Sequence, residues 1–166
     1  MPKTSGFTLV ELLVVIAIIG ILAGIGLSTF TSSQAKSRDA KRKADLQQIG
    51  SALELYYNDY GQYPAPDANG NIMGCTDGLS QCSWGSMAFS NSKTIYMSKL
   101  PADPMSQYNY YYNAIQVSGL YTSYTLYAHL ENSQDKNLLK SILYSTQCGG
   151  GVTECNYGIS SANTTP

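Results

Sequence analysis

One histidine, His129, and one tryptophan, Trp84, stand in a chain of 166 residues with a formal net charge of −1. With a lone imidazole and no partner marked for it, no nucleophile, base and orienting group can be assembled, so no catalytic residue is expected. The close C-x2-C spacing of a structural zinc site is missing as well. An EF-hand fails at two places. Asp67, Asn69 and Asn71 alternate like its start, but Ile72 stands where glycine is needed and Gly78 where glutamate is needed. Neither a metal nor a cofactor is therefore expected. Trp84, Met87, Phe89 and Met97 read as loop anchors, not as a ligand box.

Charge is also missing from one long stretch. Residues 12–27 carry no charged or strongly polar side chain, and residues 7–30 add only Thr8, Glu11, Ser28 and Thr29. A helix over 7–30 spans roughly 36 Å at 1.5 Å per residue, enough to cross a bilayer. A secretory signal peptide is the competing reading, with cleavage near Ala23, Gly24 or Gly26. Glu11 at the start of the apolar run and the run's length both argue against it. An intramembrane carboxylate is costly unless it is protonated, paired or near the interface. Cleavage after Gly6 leaves an α-amino group on Phe7, a cation one helical turn from Glu11. That amine on one copy can pair with Glu11 of a neighbour, and the Gly20-x3-Gly24 spacing lets apolar helices approach closely.

The segment Gly6-Phe7-Thr8-Leu9-Val10-Glu11-Leu12-Leu13-Val14-Val15-Ile16-Ala17 resembles the N-terminal signal of type IV pilins and type II secretion pseudopilins. The resemblance implies a cytoplasmic leader, residues 1–6, removed by a prepilin peptidase, and N-methylation of the new Phe7. It implies that Glu11 guides subunit docking on an inner-membrane assembly platform. Many members carry a proline further along this helix. Gly24, Ile25, Gly26, Leu27 and Ser28 stand there instead, and glycines weaken a helix by roughly 1 kcal/mol each relative to alanine.

The helix is expected to run on to Tyr60. No proline and only Gly50 interrupt residues 33–60. Ala35, Ala44, Leu46, Ile49, Leu53, Tyr56, Tyr57 and Tyr60 make one stripe, with Lys43, Gln47, Gln48, Ser51 and Glu54 opposite. Gly61 and Pro64 end the pattern. The cluster Lys36, Arg38, Asp39, Lys41, Arg42, Lys43 and Asp45 reads as a solvated surface touching neighbouring subunits or lipid headgroups. A nucleic-acid partner is unsupported, because this is one short segment of a slightly acidic chain.

That cluster, set against Lys3 alone on the other side, favours a cytoplasmic head by the positive-inside rule. The cysteines argue the opposite. Cys75, Cys82, Cys148 and Cys155 form two C-x6-C pairs, an even count that suits bridges in an oxidising compartment. Three connectivities are possible, and the two local pairs are the simplest. The head is expected outside: extracellular on a pilus, periplasmic in a pseudopilus.

Residues 61–166 read as one head, loop-rich over 61–93. Candidate strands cover 108–112 and 123–130, antiparallel through a turn at 113–119. The second puts Tyr124, Leu126, Ala128 and Leu130 on one face and Thr125, Tyr127 and His129 on the other. The tail, 149–166, reads as loop or short strand fixed by cysteines. The fourteen tyrosines suit both a core and subunit contacts. Tyr56-Tyr57-Asn58-Asp59-Tyr60-Gly61-Gln62-Tyr63-Pro64 and Leu100-Pro101-Ala102-Asp103-Pro104 are similar to landmarks of the major pseudopilin and related pilins. The expected fold class is α+β: a long N-terminal helix, with transmembrane (7–30) and amphipathic (31–60) halves, packed against a small antiparallel sheet. The expected function is a structural subunit of a type IV pilus-like helical filament. The alternatives are a major pseudopilin driving protein export, or a minor pilin acting as adhesin or DNA-binding module.

Overall fold

Among the described residues one helix, α1 (Leu9–Tyr60), occupies the first third of the chain, and seven short strands follow. The computed structural model describes residues 6–75, 80–139, 148–149 and 154–166, with backbone only for 25–28. Residues 1–5 of the expected leader and the side chains of Ile25, Leu27 and Ser28 lie outside the described residues. Two compact units are present, Met1–Ser37 and Arg38–Pro166. α1 contributes to both and starts two residues later than the spacing predicts. It ends where Gly61 adopts φ 68 and its N–H reaches the Tyr57 carbonyl at 2.7 Å.

In the second unit the helix buries Leu46, Ile49, Ala52 and Leu53. Spacings of three and four return side chains to one face at about 3.6 residues per turn. Ala44 does not belong to that face. It lies exposed, because two residues before Leu46 is a rotation of about 200°. Tyr57 and Tyr60 also fall off the buried stripe, at 36% and 49% exposed. Tyr60 instead stacks on Tyr56, with ring centroids 4.4 Å apart.

Antiparallel β5 (Tyr111–Val117) and β6 (Leu120–Ala128) form a hairpin in the register Tyr111↔Tyr127 to Val117↔Leu120. The sequence spacing set the first strand at 108–112 and the turn at 113–119; both are corrected. The turn is two residues, Ser118 and Gly119, at φ 52 and 89. Positive φ at both central positions is the type I′ geometry that matches strand twist. With so short a turn, both strands extend up to it.

β7 (Tyr157–Ser160) adds to β6, pairing Leu126 with Ile159, which gives the order β5-β6-β7. The tail thus contributes a strand. Nor is only one sheet face covered. Tyr124, Leu126 and Ala128 join the helix side chains in the main core. Tyr111 and Tyr127 form a second cluster with Cys148 and Cys155.

The stretch expected to be loop-rich holds short pairs: β1 (Ile72–Cys75) with β2 (Ser80–Cys82), and β3 (Phe89–Ser90) with β4 (Ile95–Met97). Disulfides join Cys75 to Cys82 and Cys148 to Cys155. Phe89 is fully buried, with Trp84, Met87 and Met97 packed around the core it belongs to.

Candidate assembly site

The helix opens on a reciprocal cap. Thr8 precedes Leu9 and donates to Glu11 Oε2 through its N–H (2.9 Å) and its hydroxyl (2.6 Å). Glu11 N–H lies 3.3 Å from Thr8 Oγ1 and donates to it. This is the T-x-x-E capping box, in which cap and third residue satisfy each other's free N–H groups. The acidic side chain also suits the positive end of the helix dipole. Both bonds use Oε2, so Oε1 has no partner among the described residues. The T-x-x-E spacing is the sequence signal from which Thr8 is legible as a cap. Phe7 precedes the cap at 74% exposed, and Gly6 has open space where a side chain would be.

Beyond the cap, the large apolar side chains from Leu9 to Leu22, and Phe30, are exposed. α1 is long and apolar enough to cross a membrane, with a mean hydropathy of 2.7 over its most apolar window. A Cβ at Gly20 or Gly24 meets nothing within 4 Å, so small residues leave open notches on an uncovered surface. Burial of such a surface needs lipid or other helices.

The charged cluster, which lies in the second unit from Arg38 onward, behaves otherwise: Lys36 and Lys41 are exposed, but the solvated-surface reading is overturned for Asp39, Arg42 and Asp45, which are buried. Arg42 is fully buried and is the hub of an ion network. Its Nε and Nη2 donate to the two oxygens of Asp103 at 2.7 and 2.8 Å. Its Nη1 donates to Asp39 at 2.8 Å and to Glu131 at 2.7 Å. Arg38 holds Glu131 from the other side, at 2.8 Å through Nε and 2.5 Å through Nη2. Asp39 in turn accepts the backbone N–H groups of Glu131 and Asn132, each at 2.9 Å. Lys43 reaches Asp135 at 2.6 Å, and Lys41 reaches Asp45 at 3.0 Å. Four of the five basic residues in the cluster are therefore matched by carboxylates. The partners Asp103, Glu131 and Asp135 are distant in sequence, which is why spacing along the helix could not reveal them.

These contacts set the local charge states. Burial opposes the Arg42 charge, but the bonds to Asp103 and Glu131 outweigh it and the pKa rises. Glu131 falls from 4.5 to about 2, first through its bond to Arg38. Burial, followed by the Asp45 carboxylate 2.7 Å away, pushes the Tyr110 hydroxyl well up. Tyr63 donates to Glu54 at 3.1 and 3.0 Å, and Tyr96 to Asp59 at 2.8 Å. Much of the tyrosine surplus thus serves the core, with hydroxyls aimed at helix carboxylates.

Asp67 also has a local role. It accepts the N–H groups of Asn69 (2.8 Å) and Asn71 (2.7 Å), a turn built on its own side chain. His129 Nδ1 lies 2.5 Å from the Glu154 carbonyl, and its ring sits 4.7 Å from that of Tyr108. No cluster of three potential metal ligands occurs among the described residues.

Two family descriptions match this chain: "Prokaryotic N-terminal methylation motif" over residues 1–27, and "Type II secretion system (T2SS), protein G" over residues 29–129. The second match covers more than half of the chain. The protein belongs to the type II secretion system protein G family. A type II secretion system core protein G of Pseudomonas aeruginosa is 32% identical over 75% of this chain and 83% of its own length. One from Escherichia coli is 31% identical over 61% of this chain and 67% of its own. The type IV major pilin protein PilA of Myxococcus xanthus is 39% identical, but over only 37% of this chain and 28% of its own length. No solved structure matches the chain. The protein G family is one of pilin-like structural subunits, and this member carries its prepilin-type signal on one apolar N-terminal helix. The family match stops at residue 129. Glu131, Asp135, the Cys148–Cys155 bond and β7 all lie beyond it.

Proposed function

We propose that this chain is a major pseudopilin, the repeating subunit of a type II secretion filament that drives protein export. The observation that carries this reading is the extent of similarity. The protein G match from Pseudomonas aeruginosa runs along 75% of the chain, against 37% for the Myxococcus xanthus pilin. A surface pilus subunit is the second reading, favoured by 43% identity to the fimbrial protein EcpC of Eikenella corrodens over 45% of this chain.

In the proposed pathway, residues 1–6 are the leader, and a prepilin peptidase cuts between Gly6 and Phe7 and methylates Phe7. Residues 7–30 anchor the subunit in the membrane and then pack against other copies on the assembly platform. Glu11 Oε1 accepts the ammonium of Phe7 from a neighbouring copy while Oε2 stays on Thr8, so capping and docking use different oxygens. Neutralising Glu11 in this way removes the cost of a lone carboxylate in the bilayer. The head lies outside, which two disulfides favour. Pairing of the basic cluster within the folded head leaves little of it free for nucleic acid or lipid headgroups.

Deletion of the gene in its native host separates the two readings. Loss of exported proteins from the culture medium, with surface fibres unchanged, is the expected result. Loss of fibres with export intact overturns the pseudopilin reading in favour of the pilus.

A further inference from the structure

A pocket of about 290 Å³ opens on the second unit, and no charged side chain lines it among the described residues. One wall is Asn69 and Asn71, the next is Gln81, Ser83 and Trp84, and the third is Asn109 and Tyr110. Four carboxamides, a hydroxyl and two aromatic rings face one space. At roughly 30 Å³ per water in the liquid, it holds about ten waters. That is near the lower end of ligand-site volumes, which start at about 300 Å³.

The walls are braced independently of any ligand. Asp67 Oδ2 accepts Asn71 Nδ2 at 2.9 Å, which turns the Asn71 amide and leaves its carbonyl oxygen without a partner among the described residues. Gln81 adjoins Cys82, whose bond to Cys75 crosses the β1–β2 hairpin. Asn109 N–H donates to the Cys148 carbonyl at 3.0 Å, tying that wall to the second disulfide. Tyr110 is fixed by Asp45 at 2.7 Å, and its ring meets Trp84 edge-on, 88° between planes and 6.0 Å between centroids. By contrast, the side-chain amides of Asn69, Gln81 and Asn109 bond to no described residue. The Trp84 indole Nε1–H is buried without a partner among the described residues. With no accessible surface, that N–H is closed to a ligand, and Trp84 contributes its ring to the wall.

We infer that this pocket binds a neutral sugar residue of a glycan. Carboxamides offer paired donors and acceptors to adjacent hydroxyls, and aromatic rings offer an apolar face to the C–H side of a pyranose. The described wall residues carry no charge, and they offer an acidic or basic ligand no counter-ion against its desolvation. A lining this polar disfavours an apolar ligand. Residues from three separate segments converge here, and the helix contacts that assemble the head do not use their free amides. The site stands independently of the filament reading.

Trp84 is the only tryptophan, so its fluorescence reports on this pocket alone. The full chain is purified in a sugar-free detergent and titrated with lactose, N,N′-diacetylchitobiose and mannobiose, with glucuronic acid and glucosamine as charged comparators. The expected result is a saturable emission change with a neutral disaccharide, Kd about 1–10 mM for so small a ligand, and none with the charged sugars. Retention on chitin or agarose beads distinguishes a sugar read within a polymer from a free one; either source fits the site. Gln81→Ala with Asn109→Ala is expected to raise Kd about tenfold or more, with near-UV circular dichroism unchanged. Should that pair fail to fold, the indole N–H signal of Trp84 in the ¹⁵N-labelled parent chain replaces it and must shift on titration. No saturable change with any neutral sugar, or an equal change with charged ones, overturns the inference.

Discussion

Arg42 and Asp103, 61 positions apart in the chain, face each other through two parallel hydrogen bonds of 2.7 and 2.8 Å, with both side chains out of solvent. A guanidinium and a carboxylate matched as two forks make the strong form of an ion pair. Because α1 supplies Arg42 and the segment after β4 supplies Asp103, the pair fastens the head's far loop to its helix. Arg42→Ala strands Asp103, Asp39 and part of Glu131 as buried charges. A loss of about 3–5 kcal/mol in urea unfolding is expected. Arg42→Lys should recover only part of it, since an ammonium cannot make the two-bond contact.

The same network sets an acid limit. Glu131 has a folded pKa of about 2 against an ordinary 4.5, and Asp135 is lowered by its bond to Lys43. A lowered carboxylate contributes stability that is complete above its unfolded pKa and disappears as pH falls through the folded value. Stability should therefore be flat from neutral pH to about 5 and drop between about 4.5 and 2. Glu131→Gln should lower the plateau and flatten that slope. Urea midpoints across this pH range measure both, and an unchanged slope in the variant rules out Glu131 as the group responsible.

Reduction should weaken the head measurably. Each disulfide spans a sequence separation of 7. Loop closure of that size corresponds to about 2–2.5 kcal/mol per bridge on the chain-entropy account. Cys75→Ser with Cys82→Ser should cost at least as much as the Cys148 and Cys155 equivalent, because Cys75 and Cys82 are fully buried in the main core while Cys148 and Cys155 fill the smaller cluster around Tyr111 and Tyr127. Thermal melts with and without reductant give the comparison. Identical melts contradict a structural role for the bridges.

Glu11→Ala should leave leader cleavage intact and abolish filament assembly. Its partner variant, Thr8→Val, removes the hydroxyl half of the cap but keeps Oε1 available, so assembly should persist. Immunoblots for processing, with sheared or cross-linked filament fractions for assembly, report the two steps separately. Normal filaments from Glu11→Ala overturn the docking role.

What could be read in the sequence follows a physical division. The 52-residue helix was legible because periodicity and the absence of proline act locally. Its buried stripe was legible at Leu46, Ile49 and Leu53 and misjudged at Ala44, Tyr57 and Tyr60, where one or two residues of rotation change the face. Gly50 looked like a flaw in the helix. A Cβ there would stand 2.9 Å from the Tyr124 hydroxyl and 3.3 Å from Ile159, so it is where β6 and β7 approach the helix. The basic cluster was misread for a different reason. Its partners Asp103 and Glu131 stand 61 and 89 positions from Arg42, outside helix and strand, so no local pattern announces them. The T-x-x-E cap at Thr8 and Glu11 is, by contrast, a purely local signal, legible from spacing alone.

Intact-mass and N-terminal peptide spectrometry of the native subunit bears most directly on the account. It should begin at Phe7, carry one N-methyl group, and retain residues 7–30. A mature chain that starts near residue 24, or one that keeps Met1 through Gly6 in the assembled fraction, contradicts it.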